Sequence, residues 1–196
     1  MGVPIEQRGR VTDEYLELLP RLWSESSVTH EGQFFQCEEI NVEPKPVRPG
    51  GLPIWVGGKV DQSLHRAARI GSAWMPTLIT AREYGPAWAQ LQEYAAADGR
   101  DRSEILGAVY LFATIGQTYE AARAVLAPNI EAIFRTPFDV FEPLCLVGTP
   151  DQWLEQIGRF ANAGVRHVNV LLYTEDLLGD VQRIGDEVAP RLREMQ

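Results

Sequence analysis

Residues 52–77, LPIWVGGKVDQSLHRAARIGSAWMPT, carry the pattern on which the fold turns. Leu52–Val56 is a short apolar run stopped by Gly57-Gly58. From Asp61 to Ile70 polar and apolar residues then alternate with a helical period. A second apolar run starts at Ser72 and reaches Ile79. Strand, glycine turn, helix and strand in this order make a βα unit.

Reading toward the C-terminus, the pattern repeats. A helix is predicted over Ala81–Asp98, an apolar run over Ile105–Ile115, and further helix from Thr118 to Phe134. Thr149-Pro150-Asp151-Gln152 starts another helix: Thr149 suits the N-cap, Pro150 the first turn, and Gln152 completes a capping box. Gly164 is placed to end it. A last apolar run, Val168–Tyr173, precedes a helix over Leu177–Met195. Toward the N-terminus, Tyr15, Leu18, Leu19 and Leu22 give a helix from about Thr12, its N-cap, to Ser24, with Pro20 expected to kink or tighten it. Val28, Phe34, Phe35, Ile40 and Val42 lie among polar residues and predict short β segments or a hairpin. Pro44, Pro46, Pro49, Gly50 and Gly51 then impose an extended connection.

Nearly uninterrupted apolar strands alternating with helices mean a parallel sheet buried on both faces. Four βα units are predicted, with Ser26–Gly51 and Pro137–Gly148 as insertions. A (β/α)8 barrel takes roughly 250 residues. The 196 residues here are about three quarters of that, with half its strands, so either the sheet is open or the barrel is incomplete.

Composition excludes several classes. Apolar residues make up 45% and charged residues 23%, an ordinary globular balance that argues against dominant disorder. A compact chain of this mass would expose about 9,300 Å², against about 31,800 Å² unfolded. The formal charge of −9 opposes general nucleic-acid binding. No run approaches the ~18 apolar residues of a membrane span. Cys37 and Cys145 are far apart, and His30, His65 and His167 share no ligand spacing; zinc is unsupported, and a reduced, cytoplasmic setting is expected.

The best local candidate for chemistry is Gly57-Gly58-Lys59. Paired glycines between a strand and a helix let a backbone approach a ligand closely, and free N–H groups at the helix start suit an anion. The segment is neither GxGxxG nor a P-loop, and a tight βα turn needs the same glycines. Trp74, Met75, Pro76 and Thr77 end the second strand, where ligands sit in parallel α/β folds. There Trp74 is a candidate wall for a flat ring and Thr77 a hydrogen-bonding group, with core packing the better reading for Trp74. Arg66 and Arg69 share a helix face, and surface acids are their more natural partners than a phosphate. His167 reads as a partly buried, hydrogen-bonded structural histidine. Tyr173, Thr174 and Glu175 face the same mouth as Gly57-Gly58. Neither cysteine has a basic neighbour that would activate it.

Gly2–Glu17, His30–Phe35, Pro44–Val47, Leu52–Gly58, Arg66–Arg69, Ala73–Pro76, Val147–Pro150 and Ala163–Val165 together, in this order, resemble the luciferase-like monooxygenase family. The branch using the deazaflavin F420 is the nearest, with FMN users beside it. The resemblance implies a (β/α)8 barrel that positions a redox ring for hydride transfer, or for oxygen activation by a reduced flavin. It implies that Val56, Gly57 and Gly58 lie near the cofactor phosphate, with Trp74, Pro76 and Thr77 also near the cofactor and Lys59 where the family varies.

The resemblance starts in mid-barrel, so residues 1–196 are expected to form one partial barrel domain, its C-terminal half. The family's first four strands supply much of the ring-binding surface and the usual proton-transfer groups, and their absence here weighs against catalysis by these residues alone. Two readings of function therefore stand: an oxidoreductase acting on a small molecule, and a non-catalytic barrel fragment acting as a subunit. An open four-stranded α/β domain with an unrelated ligand is a third. Exposed parallel edges invite pairing, so a homo-oligomer is expected, and two copies would supply eight strands.

Overall fold

The computed structural model describes residues 2–194; Met195, the last residue of the predicted C-terminal helix, lies outside the described residues. An N-terminal helix α1 (Arg8–Ser24) leads into the antiparallel hairpin β1 (Val28–Glu31) and β2 (Gln36–Ile40). The alternating part follows: β3 (Trp55–Val56), α2 (Asp61–Ile70), β4 (Ala73–Trp74), α3 (Ala81–Ala97), β5 (Leu106–Ile115) and α4 (Tyr119–Phe134). Then come β6 (Leu146–Gly148), α5 (Pro150–Asn162), β7 (His167–Leu172), α6 (Leu177–Arg183) and α7 (Ala189–Glu194).

All pairings among β3 to β7 are parallel. β3 pairs with β4, β4 with β5, and the long β5 also receives β6 and β7. The fold class is thus α/β with parallel βα units, and the sheet does not close on itself among the described residues. Five strands form it rather than four. β6 falls in the segment read as an insertion, because three residues carry no measurable periodicity. Burial of Leu146 and Val147, together with pairing to Ala113, Thr114 and Ile115, makes it a strand.

Helix starts follow local chemistry. Thr80 and Thr149 form reciprocal capping boxes with Glu83 and Gln152, and Thr118 caps α4. α1 starts at Arg8, ahead of the expected Thr12, because a turn over Ile5–Gln7 leads the chain into it. Thr12 instead returns its hydroxyl to the Arg8 carbonyl, and the helix runs through Pro20 without a break. The predicted C-terminal helix is interrupted by a wide turn, Ile184–Val188, where Ala189 donates to the Ile184 carbonyl five residues back. Pro190 has no N–H with which to continue the ordinary ladder.

Register sorts the side chains. Val56 pairs with Trp74, Val109 with Val168, and Leu111 with Val170; these residues point outward into the layer beneath the helices. Trp55, Ala73, Met75, Thr77, Ala108, Tyr110, Phe112, His167, Asn169 and Leu171 share the opposite, inner face. β3 and β7 are three strand spacings apart, about 14 Å in a flat sheet. Yet the rings of Trp55 and His167 meet edge to face with centroids 5.0 Å apart. The sheet is therefore strongly curled, with its inner face concave.

Candidate functional site

The carboxyl ends of β3 and β4 are tied together by three hydrogen bonds. Met75 N–H donates to the Val56 carbonyl at 2.9 Å, Trp74 Nε1–H to the Gly58 carbonyl at 2.8 Å, and Lys59 Nζ to the Leu78 carbonyl at 2.8 Å. Gly58 sits at φ 87°, and a Cβ there would lie 2.6 Å from Ser63 Oγ; this backbone close to the start of α2 has room for glycine alone. Leu78, at φ 52°, is also left-handed, which turns its carbonyl toward Lys59.

The seven residues singled out around this mouth do come together. Gly57, Gly58 and Lys59 are exposed on the loop, Thr77 is exposed on the inner face beside Tyr110, and Val56 and Pro76 are buried behind them. For Trp74 the core-packing reading holds. Its indole is fully buried, packed against Tyr84 and Trp88, so it does not wall a ligand; it holds the Gly58 carbonyl from behind. Alternation decides this, since Val56 and Trp74 are register partners on the outward face. Lys59 is a clamp between loops, with Glu83 4.0 Å from its ammonium.

The start of α2 differs from its neighbours. Val60 at the N-cap provides no side-chain bond to the first turn, whereas Thr80, Thr118 and Thr149 cap α3, α4 and α5. Free N–H groups beside an exposed glycine pair suit an oxyanion. Asp61 in that turn is engaged by Tyr94, whose hydroxyl donates to it at 2.7 Å.

Other residues resolve differently. Arg66 and Arg69 pair with Asp13 and Glu17 of α1, the surface-acid reading. His167 is exposed on the inner face, not partly buried and hydrogen-bonded as its sequence context predicts, because the register turns it away from the helices. Cys145 is buried, which pushes its thiol up to about 12 and leaves it inert. No group of three or more metal-ligating side chains occurs among the described residues. Periodicity alone did not reveal the aromatic group at the carboxyl end of β5, where Phe112 meets Phe134 and Tyr173, and Phe134 stacks on Phe141 at 4.4 Å. Beside it Glu142 accepts from both Tyr119 and Arg123; burial, then the bond to Glu142, raise the Tyr119 hydroxyl to about 12. The signal available was the cluster Phe134, Phe138 and Phe141, whose helical spacing is broken by Pro137.

Residues 1–138 match the model of the luciferase-like monooxygenases. The chain belongs to that family. It is 32% identical over 113 residues to an F420-dependent hydroxymycolic acid dehydrogenase of Mycobacterium tuberculosis, covering 57% of this chain and 30% of that protein. It is 25% identical to an FMNH(2)-dependent dimethylsulfone monooxygenase of Pseudomonas fluorescens, covering 97% of this chain and 59% of that one. In structure it superposes on an F420-dependent secondary alcohol dehydrogenase with a TM-score of 0.83 at 18% identity, covering 96% of this chain and 63% of the other. The chain thus spans less than two thirds of each of these relatives, and as a luciferase-like protein it has a parallel βα architecture that does not close into a barrel among the described residues. No helix among the described residues is long and apolar enough to cross a membrane.

Proposed function

We propose that this chain carries the phosphate-binding side of a flavin-type redox site, for F420 or alternatively FMN, in an oxidoreductase acting on a small molecule. The observation that carries this reading is the cradle at Gly57-Gly58: an exposed glycine pair, left-handed at Gly58, beside the uncapped first turn of α2. The fit is chemical as well as steric. Backbone N–H groups and the Thr77 hydroxyl are donors, as a phosphate requires, and a side chain at Gly58 would fill the space.

When bound, the cofactor would supply hydride transfer, or oxygen activation in reduced FMN. The residues of this chain do the rest. Gly57 and Gly58 approach the anion with bare backbone, Trp74 and Lys59 hold that loop against the β4 loop, and Thr77 offers a hydroxyl on the inner face. The curled sheet presents Met75, Tyr110 and Phe112 as a largely apolar wall on the same inner face.

Titration with F420 and with FMN, followed by fluorescence, tests this reading. Saturable binding of one, lost in Gly58→Val and weakened roughly ten- to a hundredfold in Thr77→Val, is expected, since a hydrogen bond to a charged group contributes about 1.5–3 kcal/mol. Binding unchanged in both variants removes the assignment. A second reading, a subunit without turnover of its own, is favoured by the open inner face, where Trp55 is 38% and Leu171 41% exposed. The chain also exposes 11,803 Å², about 2,500 Å² more than a compact protein of its mass, which supports association as part of either reading.

A further inference from the structure

The end of the sheet opposite the Gly57-Gly58 loop holds a second concavity. At the amino end of β5 a groove of about 380 Å³ is lined by Trp88, the stretch from Arg102 to Gly107, Gly164 and Arg166. Its charge is unlike that of the chain. Arg102 and Arg166 are both exposed, and neither is ion-paired among the described residues. The backbone fixes the second of them. Arg166 N–H donates to the Gly107 carbonyl at 2.7 Å, and Nη1 donates to the carbonyls of Ala161 and Val165, both at 2.8 Å. Glu104, the carboxylate in the lining, is engaged by Arg100 at 3.4 Å. In a chain of formal charge −9 the groove is thus a patch of positive charge.

A polar group without a partner lies behind it. Tyr84 is fully buried, and its hydroxyl makes no hydrogen bond among the described residues. Buried hydroxyls are ordinarily paired, and one left unpaired costs stability. This one sits where the two glycines of the groove meet. A Cβ on Gly107 would be 3.0 Å from Tyr84 Oη and 2.5 Å from the Gly164 carbonyl, and a Cβ on Gly164 would be 2.4 Å from Cδ1 of Trp88. Burial pushes the phenol above its usual range, so it stays a neutral O–H donor. The free polar groups are therefore mostly donors, and guanidinium forks match carboxylate oxygens. Trp88 and Leu106 add apolar surface against which a flat ring can pack.

We propose that this groove is a binding site for a small organic carboxylate with a flat, apolar body. The carboxylate accepts from Arg166 and the Tyr84 hydroxyl, Arg102 closes the rim, and the ring lies against Trp88. Tyr84 has no solvent exposure in the free chain, so the half-buried indole of Trp88 turns as the ligand enters. The site lies away from the Gly57-Gly58 cradle and uses none of its residues. The cofactor titration above and the test below therefore fail independently.

Benzoate is the probe, with benzamide as its neutral counterpart and inorganic phosphate as an anion without a ring. Each is titrated into the isotopically labelled chain and followed by amide NMR, with the Trp88 indole signal assigned through Trp88→Phe. Benzoate should give saturable shifts at the Trp88 indole N–H and at the amides of 104–107 and 164–166. Benzamide and phosphate should each bind at least tenfold more weakly. Arg102→Gln and Tyr84→Phe should each weaken benzoate about tenfold, while the thermal midpoint of Tyr84→Phe without ligand is not lowered, because no bond is lost. Benzoate shifts that do not saturate, or that fall at 57–59 instead, overturn the proposal. Benzamide or phosphate binding as tightly as benzoate overturns it too. So does a Tyr84→Phe variant that keeps full affinity, or one that unfolds earlier than the parent, which would show the hydroxyl already bonded within the fold.

Discussion

Trp74 acts on the mouth from inside the core. Its indole N–H is the donor that fixes the Gly58 carbonyl, so Trp74→Phe removes one hydrogen bond and part of a buried ring. A loss of about 1–3 kcal/mol in urea unfolding is expected, with weaker cofactor binding as the loop loosens; loss of stability with full affinity would show that the loop needs no such support. Glu14 plays the corresponding part for the hairpin. Burial raises its carboxyl, but the N–H groups of Phe35 and Phe34 and the ring of His30 outweigh that and hold it below the ordinary carboxylate value. A lowered folded pKa contributes stability above the unfolded pKa, lost as pH falls through the folded one. The parent should therefore lose more stability than Glu14→Gln between neutral pH and about pH 3. Unfolding midpoints with the same pH dependence in both proteins would contradict this.

At the scale of elements, the contrast among helix starts separates structure from site. Thr149 completes a capping box, and Thr149→Ala should cost about 1 kcal/mol with cofactor affinity unchanged. Val60 is exposed, extended and uncapped. Val60→Asp supplies the missing acceptor and should stabilise the fold by about 0.5–1 kcal/mol, while its carboxylate repels an anion held at the same N–H groups. Higher stability with undiminished affinity would move the anion away from α2. β6 is the element hardest to read from sequence: Leu146, Val147 and Gly148 become a strand only because β5 is long enough to pair with them beyond β4.

For the molecule as a whole, the decisive property is that the sheet has a filled face and an open one. Leu111 lies on the filled side, 1% exposed, and Leu111→Ala should cost about 2–5 kcal/mol. Leu171, one strand over on the inner face, is 41% exposed, and Leu171→Asn should stay within about 0.5 kcal/mol. Comparable losses at both sites, measured by chemical denaturation, would mean that the inner face is covered in the isolated chain.

The alternation of strands and helices apart from β6, the hairpin, the Thr149 cap and the glycine turn were legible in the sequence, because each depends on interactions within a few residues. The fate of particular side chains was not. Which face Trp74 and His167 occupy depends on the register between strands whose paired residues are 18 and 59 positions apart, and slipping that register by one residue would exchange the faces. The curl that brings Trp55 to His167 exists only once the sheet is assembled. Local chemistry therefore determined the units of this protein, and long-range pairing decided which of their side chains make a core, a site or an uncovered surface.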